Sequence, residues 1–121
     1  MRRIPLFHSV WFALLSPLIL FAVNYEANSA TASNAGDYFA SLYFSLYGIY
    51  CLQNFIACGE YHCLITGPGF MLAALLMVLR DVEVFDHGVG PPYIVFALAA
   101  LLGHALEWQY SRRTGSHFLR R

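Results

Sequence analysis

Six consecutive residues, Cys58-Gly59-Glu60-Tyr61-His62-Cys63, carry two thiols, an imidazole and a carboxylate. Thiolate and imidazole are ligands that suit zinc or copper, and a turn can fold Cys58, His62 and Cys63 around one ion where a straight helix could not. The C-x4-C spacing is neither a zinc-knuckle nor a redox C-x-x-C spacing, and no second C-x-x-C pair exists elsewhere in the chain. The blander reading is a tight interfacial turn of small, semi-polar residues with His62 reaching toward water.

A second candidate set lies near the C-terminus. Ala97, Ala100, His104 and Glu107 recur at i, i+3, i+7 and i+10, so one helix face starts small and ends ionisable. Ionisable groups inside a membrane span are costly and usually face the bundle interior or a wet cavity. His104 and Glu107 stand three residues apart, close enough for the carboxylate to hold the imidazole tautomer. If this helix packs against the Cys/His turn, the candidate metal set becomes Cys58, His62, Cys63, His104 and Glu107. Otherwise Glu107 is expected to pair with Arg112 or Arg113.

Cys51, Asn54 and Cys58 also share a helix face, beside a small-residue stripe of Ser41, Ser45 and Gly48. Small residues at that rhythm let helices approach closely in lipid. Cys51 and Cys58 lie about 10 Å apart at ~1.5 Å per residue, too far to share an ion or a disulfide. Tyr43, Tyr47 and Tyr50 form a third stripe, suited to aromatic packing or to a flat ligand such as a quinone.

The elements that must position these groups are long and apolar. A bilayer core needs about 20 apolar residues per helix, and four stretches qualify: residues 4–23, 38–58, 63–84 and 93–110. The third is short or interrupted, because Thr66-Gly67-Pro68-Gly69 falls near its start and Arg80-Asp81 before its end. Parity favours a full crossing over a re-entrant segment, since arginines at both ends call for an even number of spans. Arg80 and Glu83 are expected to pair near the outer interface. Residues 24–37 read as a polar outer loop, with Asp37 as a helix cap. Val89-Gly90-Pro91-Pro92 reads as a breaker before the last helix. Arg2-Arg3, an apolar run and Ser29-Ala30-Thr31-Ala32 imitate a secretory signal. The run is longer than the roughly 7–15 residues of a signal core, so an uncleaved first helix is expected.

Composition agrees. The 121 residues are 59% hydrophobic and 12% charged with zero net charge, against about 25% charged in soluble proteins. No basic field exists to hold nucleic acid. All seven basic residues are arginine, and six of them, Arg2, Arg3, Arg112, Arg113, Arg120 and Arg121, lie at the two ends. There is no phosphate-binding glycine loop, no G-x-S-x-G and no H-E-x-x-H, so common enzyme chemistries find no foothold.

The expectation is an all-α integral membrane protein. Residues 1–121 form one transmembrane domain of about four helices with a basic cytoplasmic tail at 111–121. It sits in a plasma or inner membrane with both termini cytoplasmic. Its expected role is that of a non-catalytic accessory or assembly subunit, packing against lipid, larger membrane subunits or itself. The alternative is a zinc- or copper-handling protein using the Cys/His turn.

Overall fold

A computed structural model describes residues 9–31, 35–84 and 90–119. Among these, four helices occur and no strand: α1 (Val10–Thr31), α2 (Ala35–Cys58), α3 (Cys63–Asp81) and α4 (Gly90–Thr114). Residues 4–8 of the expected first helix lie outside the described residues, as do Arg2, Arg3, Asp86, His87, Val89, Arg120 and Arg121. α3 packs against both α2 and α4, and α1 lies against α2 and α4.

Hydropathy locates the helices but not their ends. The stretch expected to be an outer loop is helical through Thr31, and α2 already starts at Ala35. Backbone hydrogen bonding continues where apolar composition stops, because hydropathy reports the solvent a segment prefers rather than the path of its backbone. Asn24 shows how a polar residue is kept there, its amide donating to the Tyr93 hydroxyl at 3.1 Å in the interior. Gly90, Pro91 and Pro92 form the first turn of α4 instead of preceding it; proline fits there because first-turn N–H groups have no partner within the helix.

α3 is the shortest helix at 19 residues and runs through Thr66–Gly69 without a break, with Pro68 inside it. α3 and α4 are long and apolar enough to cross a membrane, and α1 has a shorter apolar stretch, Trp11–Glu26.

The core is aromatic. Phe44, Tyr47, Phe70 and Phe96 meet from α2, α3 and α4, with Phe70 and Phe96 stacked at 3.9 Å between ring centroids. Tyr47, from the tyrosine stripe, is buried among them, and Tyr43 hydrogen-bonds Ser16 of α1. Gly48 lies against Met71, so the small-residue stripe serves packing inside the chain.

Arg80 pairs with Asp37 across α2 and α3 at 3.1 Å, not with Glu83 as expected. Asp37 is buried within the first turn of α2. Ser41 lies 3.0 Å from the Asp37 carbonyl and 3.3 Å from an Asp81 carboxylate oxygen. These groups occupy one pole of the bundle; the turn at residues 59–62 occupies the other, together with the C-terminal end of α4.

Candidate metal centre

The reversal between α2 and α3 is made by Gly59, whose φ of +72° favours glycine over any side chain. Its amide donates to the Phe55 carbonyl at 2.8 Å, closing α2. Four residues later Cys63 opens α3, and the reversal turns its side chain back toward α2. The start of α3 thereby runs alongside the last turns of α2 that carry Cys51, with Gly67 set against Leu52. Cys51 and Cys63 are both buried free thiols.

Around Cys63 the donors converge. Its sulfur lies 3.4 Å from His62 Nε2 and 3.8 Å from Glu60 Oε2. One ligand atom from each of Glu60, His62 and Cys63 lies within 4.8 Å of the other two, and all three residues are buried. The other ring nitrogen of His62 is committed: Nδ1 bonds Glu107 Oε2, and the His62 backbone N–H donates to that same oxygen at 2.9 Å. Burial opposes charging of His62, but the hydrogen bond and charge of Glu107 outweigh it, so the imidazole holds its proton above its usual range. The second Glu107 oxygen accepts from His117 at 3.2 Å.

α4 comes close enough for this because of Gly103. A Cβ there would stand 2.7 Å from Thr66 Cγ2 and 3.1 Å from the His62 carbonyl oxygen, too tight for any larger residue without movement. The close approach also lays His104 flat on His62, rings 4.5 Å apart and 18° from parallel.

Of the residues expected from sequence to form a metal set, four meet here. His62 and Cys63 are adjacent donors, Glu107 holds His62, and His104 stacks on it. Cys58 is exposed at the end of α2 and is not part of the donor group. Glu107 bonds His62 and His117 rather than Arg112, whose guanidinium lies over Trp108 at 4.0 Å. Glu60, Cys51 and His117 were not in the expected set. Glu60 was visible as a fourth donor inside the six-residue window. Cys51 requires knowing that the chain reverses at Gly59. His117 requires a second reversal at Gly115, which a glycine directly after a long helix signals.

The donor chemistry fits a zinc ion. Ligands at 2.0–2.3 Å in a tetrahedron stand about 3.3–3.8 Å from one another, which covers the two separations from the Cys63 sulfur, and the Glu60 and His62 ligand atoms lie within 4.8 Å of each other. A carboxylate-held imidazole that presents its other nitrogen to the remaining donors is the usual arrangement of a metal-bound histidine, and an ion binding at His62 Nε2 would displace the proton held there.

No protein-family model, curated protein or solved structure shows a significant match to this chain.

Proposed function

We propose that this chain is an integral membrane protein of four spans that binds one zinc ion at the cytoplasmic pole of its bundle, through Glu60, His62 and Cys63. Cys51 stands as the additional thiolate, and Glu107 holds His62 in the tautomer that leaves Nε2 for the ion. The observation that carries the reading is the convergence of sulfur, nitrogen and oxygen donors within 4.8 Å in a buried turn. Glu60 favours zinc over copper(I), because a carboxylate is a hard ligand that the softer ion takes poorly.

Membrane insertion is supported by what the bundle leaves outside. The apolar windows of α3 and α4 are only 39% and 33% buried within the chain, whereas the core helix of a soluble protein is mostly buried. Leu18, Leu42, Leu46, Leu75, Leu98 and Leu101 all point outward. A surface this apolar calls for lipid or protein cover. The even number of helices brings the turn and the C-terminal end of α4 to one pole, and the presence of Arg112 and Arg113 there supports a cytoplasmic orientation by the positive-inside rule. A reducing compartment keeps the thiols available as ligands.

The accessory-subunit reading draws less from the fold, because Ser41 and Gly48 face α3 within the chain. Purification of the full-length protein from native membranes in mild detergent separates the two. One zinc per chain, lost in Cys63→Ala and His62→Ala, supports the metal reading. A metal-free particle with reactive thiols and stoichiometric larger partners overturns it.

A further inference from the structure

After α4 the chain does not leave the bundle. Gly115, with φ of +73°, ends the helix and reverses direction, and residues 115–119 return across the 59–62 turn. The Tyr61 N–H donates to the His117 carbonyl at 3.0 Å and the Leu119 N–H to the Gly59 carbonyl at 2.9 Å. Together they set Glu60 opposite Phe118 in an isolated antiparallel bridge. Tyr61 stacks on Tyr110 at 4.7 Å, and the Tyr110 hydroxyl donates to the Phe118 carbonyl at 3.4 Å. His117 reaches Glu107, the same carboxylate that holds His62.

We infer that residues 115–119 are a strap that gates the Glu60/His62/Cys63 site, opening for a metal ion to enter or leave and closing over it. The inference rests on the metal reading above. Two features argue for a gate rather than a fixed wall. First, the helix side of the site is sealed: Gly103 brings α4 into contact with Thr66 and the His62 backbone, and the aromatic core fills the bundle beyond. Second, the strap is held mainly by hydrogen bonds to its backbone, two from or to the 59–62 turn and one from the Tyr110 hydroxyl, and by one imidazole–carboxylate pair, and its side chains at His117 and Phe118 are exposed. Segments with few buried contacts open locally far more often than the helices beneath them. Because Glu107 ties the strap to His62, the cover and the donor set share one anchor.

The test reads the alkylation of Cys63 by a water-soluble maleimide in the full-length protein in detergent, resolved by peptide mass spectrometry with exposed Cys58 as the internal reference. Leu119→Pro removes the N–H that bonds Gly59, and His117→Ala removes the tie to Glu107; neither residue is a donor to the ion. Modification of a transiently opened site follows the open population, so each variant is expected to label Cys63 about fivefold faster than the unaltered chain, the factor for one lost hydrogen bond. Labelling of Cys63 at the unaltered rate in both variants overturns the strap. With zinc loaded, both variants should release it to a chelator faster by a similar factor, with affinity at equilibrium little changed. Weaker affinity at an unchanged release rate would make the strap a holder of the site and overturn the gate. If the unaltered chain binds no zinc, the metal reading falls, and the Cys63 labelling still decides the strap.

Discussion

The two poles of the bundle carry comparable numbers of polar groups and use them in opposite ways. At one pole Arg80 neutralises Asp37 at 3.1 Å, Ser41 serves Asp81, and the Asn24 amide serves Tyr93. Most groups there are answered by a complementary one, although one side-chain oxygen each of Asn24 and Asp81 is buried without a partner, and the pole reads as a structural network. At the other pole Glu60, His62 and Cys63 point acceptors and soft donors at a common volume, and no arginine lies among them. A cluster of donors facing each other is stable in the interior when protons or a metal ion supply the missing positive charge. Buried polarity in an apolar bundle therefore signals function by the kind of its partners more than by its amount.

If that contrast holds, the largest effect on folding belongs to the ion-pair pole and the largest effect on binding to the thiol pole. Arg80→Ala leaves Asp37 buried without its cation, and about 3–5 kcal/mol of stability should be lost, read as a lowered thermal midpoint in detergent. The surviving folded protein should still take up zinc. An unchanged midpoint would mean that the pair is solvated and the contrast is false. Cys63→Ala should do the reverse, abolishing stoichiometric zinc in elemental analysis while costing the metal-free protein only about 1 kcal/mol.

Smaller effects sharpen the picture. Gly103→Ala pushes a methyl against Thr66 and the His62 carbonyl, and overpacking of this kind costs about 1–3 kcal/mol; zinc affinity should fall with it, because α4 carries Glu107. Glu107→Gln keeps the shape but weakens the hold on His62, and a loss of about 10–100-fold in zinc affinity is expected from competition titration. The smallest effect belongs to Cys58→Ala. Its side chain is exposed and outside the donor group, so zinc content and midpoint should both match the unaltered chain. A loss of zinc in that variant would move the site back to the residues that spacing alone suggests.

Much of this was legible in the sequence, and the exceptions share a cause. Four apolar stretches marked four helices, and the Cys/His window marked the pole where α3 begins. The possible meeting of that window with His104 and Glu107 followed from the even number of crossings. Helix ends were missed where polar or proline-containing segments stay helical, as at Asn24 and Pro92. The ion pair was missed because helical spacing offers Arg80 a neighbour at Glu83, while its partner Asp37 is 43 residues away along the chain. Cys51 was set aside for its axial distance from Cys58. That distance is sound, but it does not apply to Cys63, which the reversal at Gly59 carries back alongside α2. Spacing rules describe one helix at a time, and each missed partner lies across a turn.

Binding of one ion by Glu60, His62 and Cys63 with mixed sulfur, nitrogen and oxygen ligands can be read out with cobalt(II) in place of zinc. One cobalt per chain is expected, with intense visible absorption from a four-coordinate ion and a thiolate-to-cobalt charge-transfer band in the near ultraviolet that disappears in Cys63→Ala. Weak, six-coordinate absorption with no thiolate band, or a band unaffected by removal of Cys63, would contradict it.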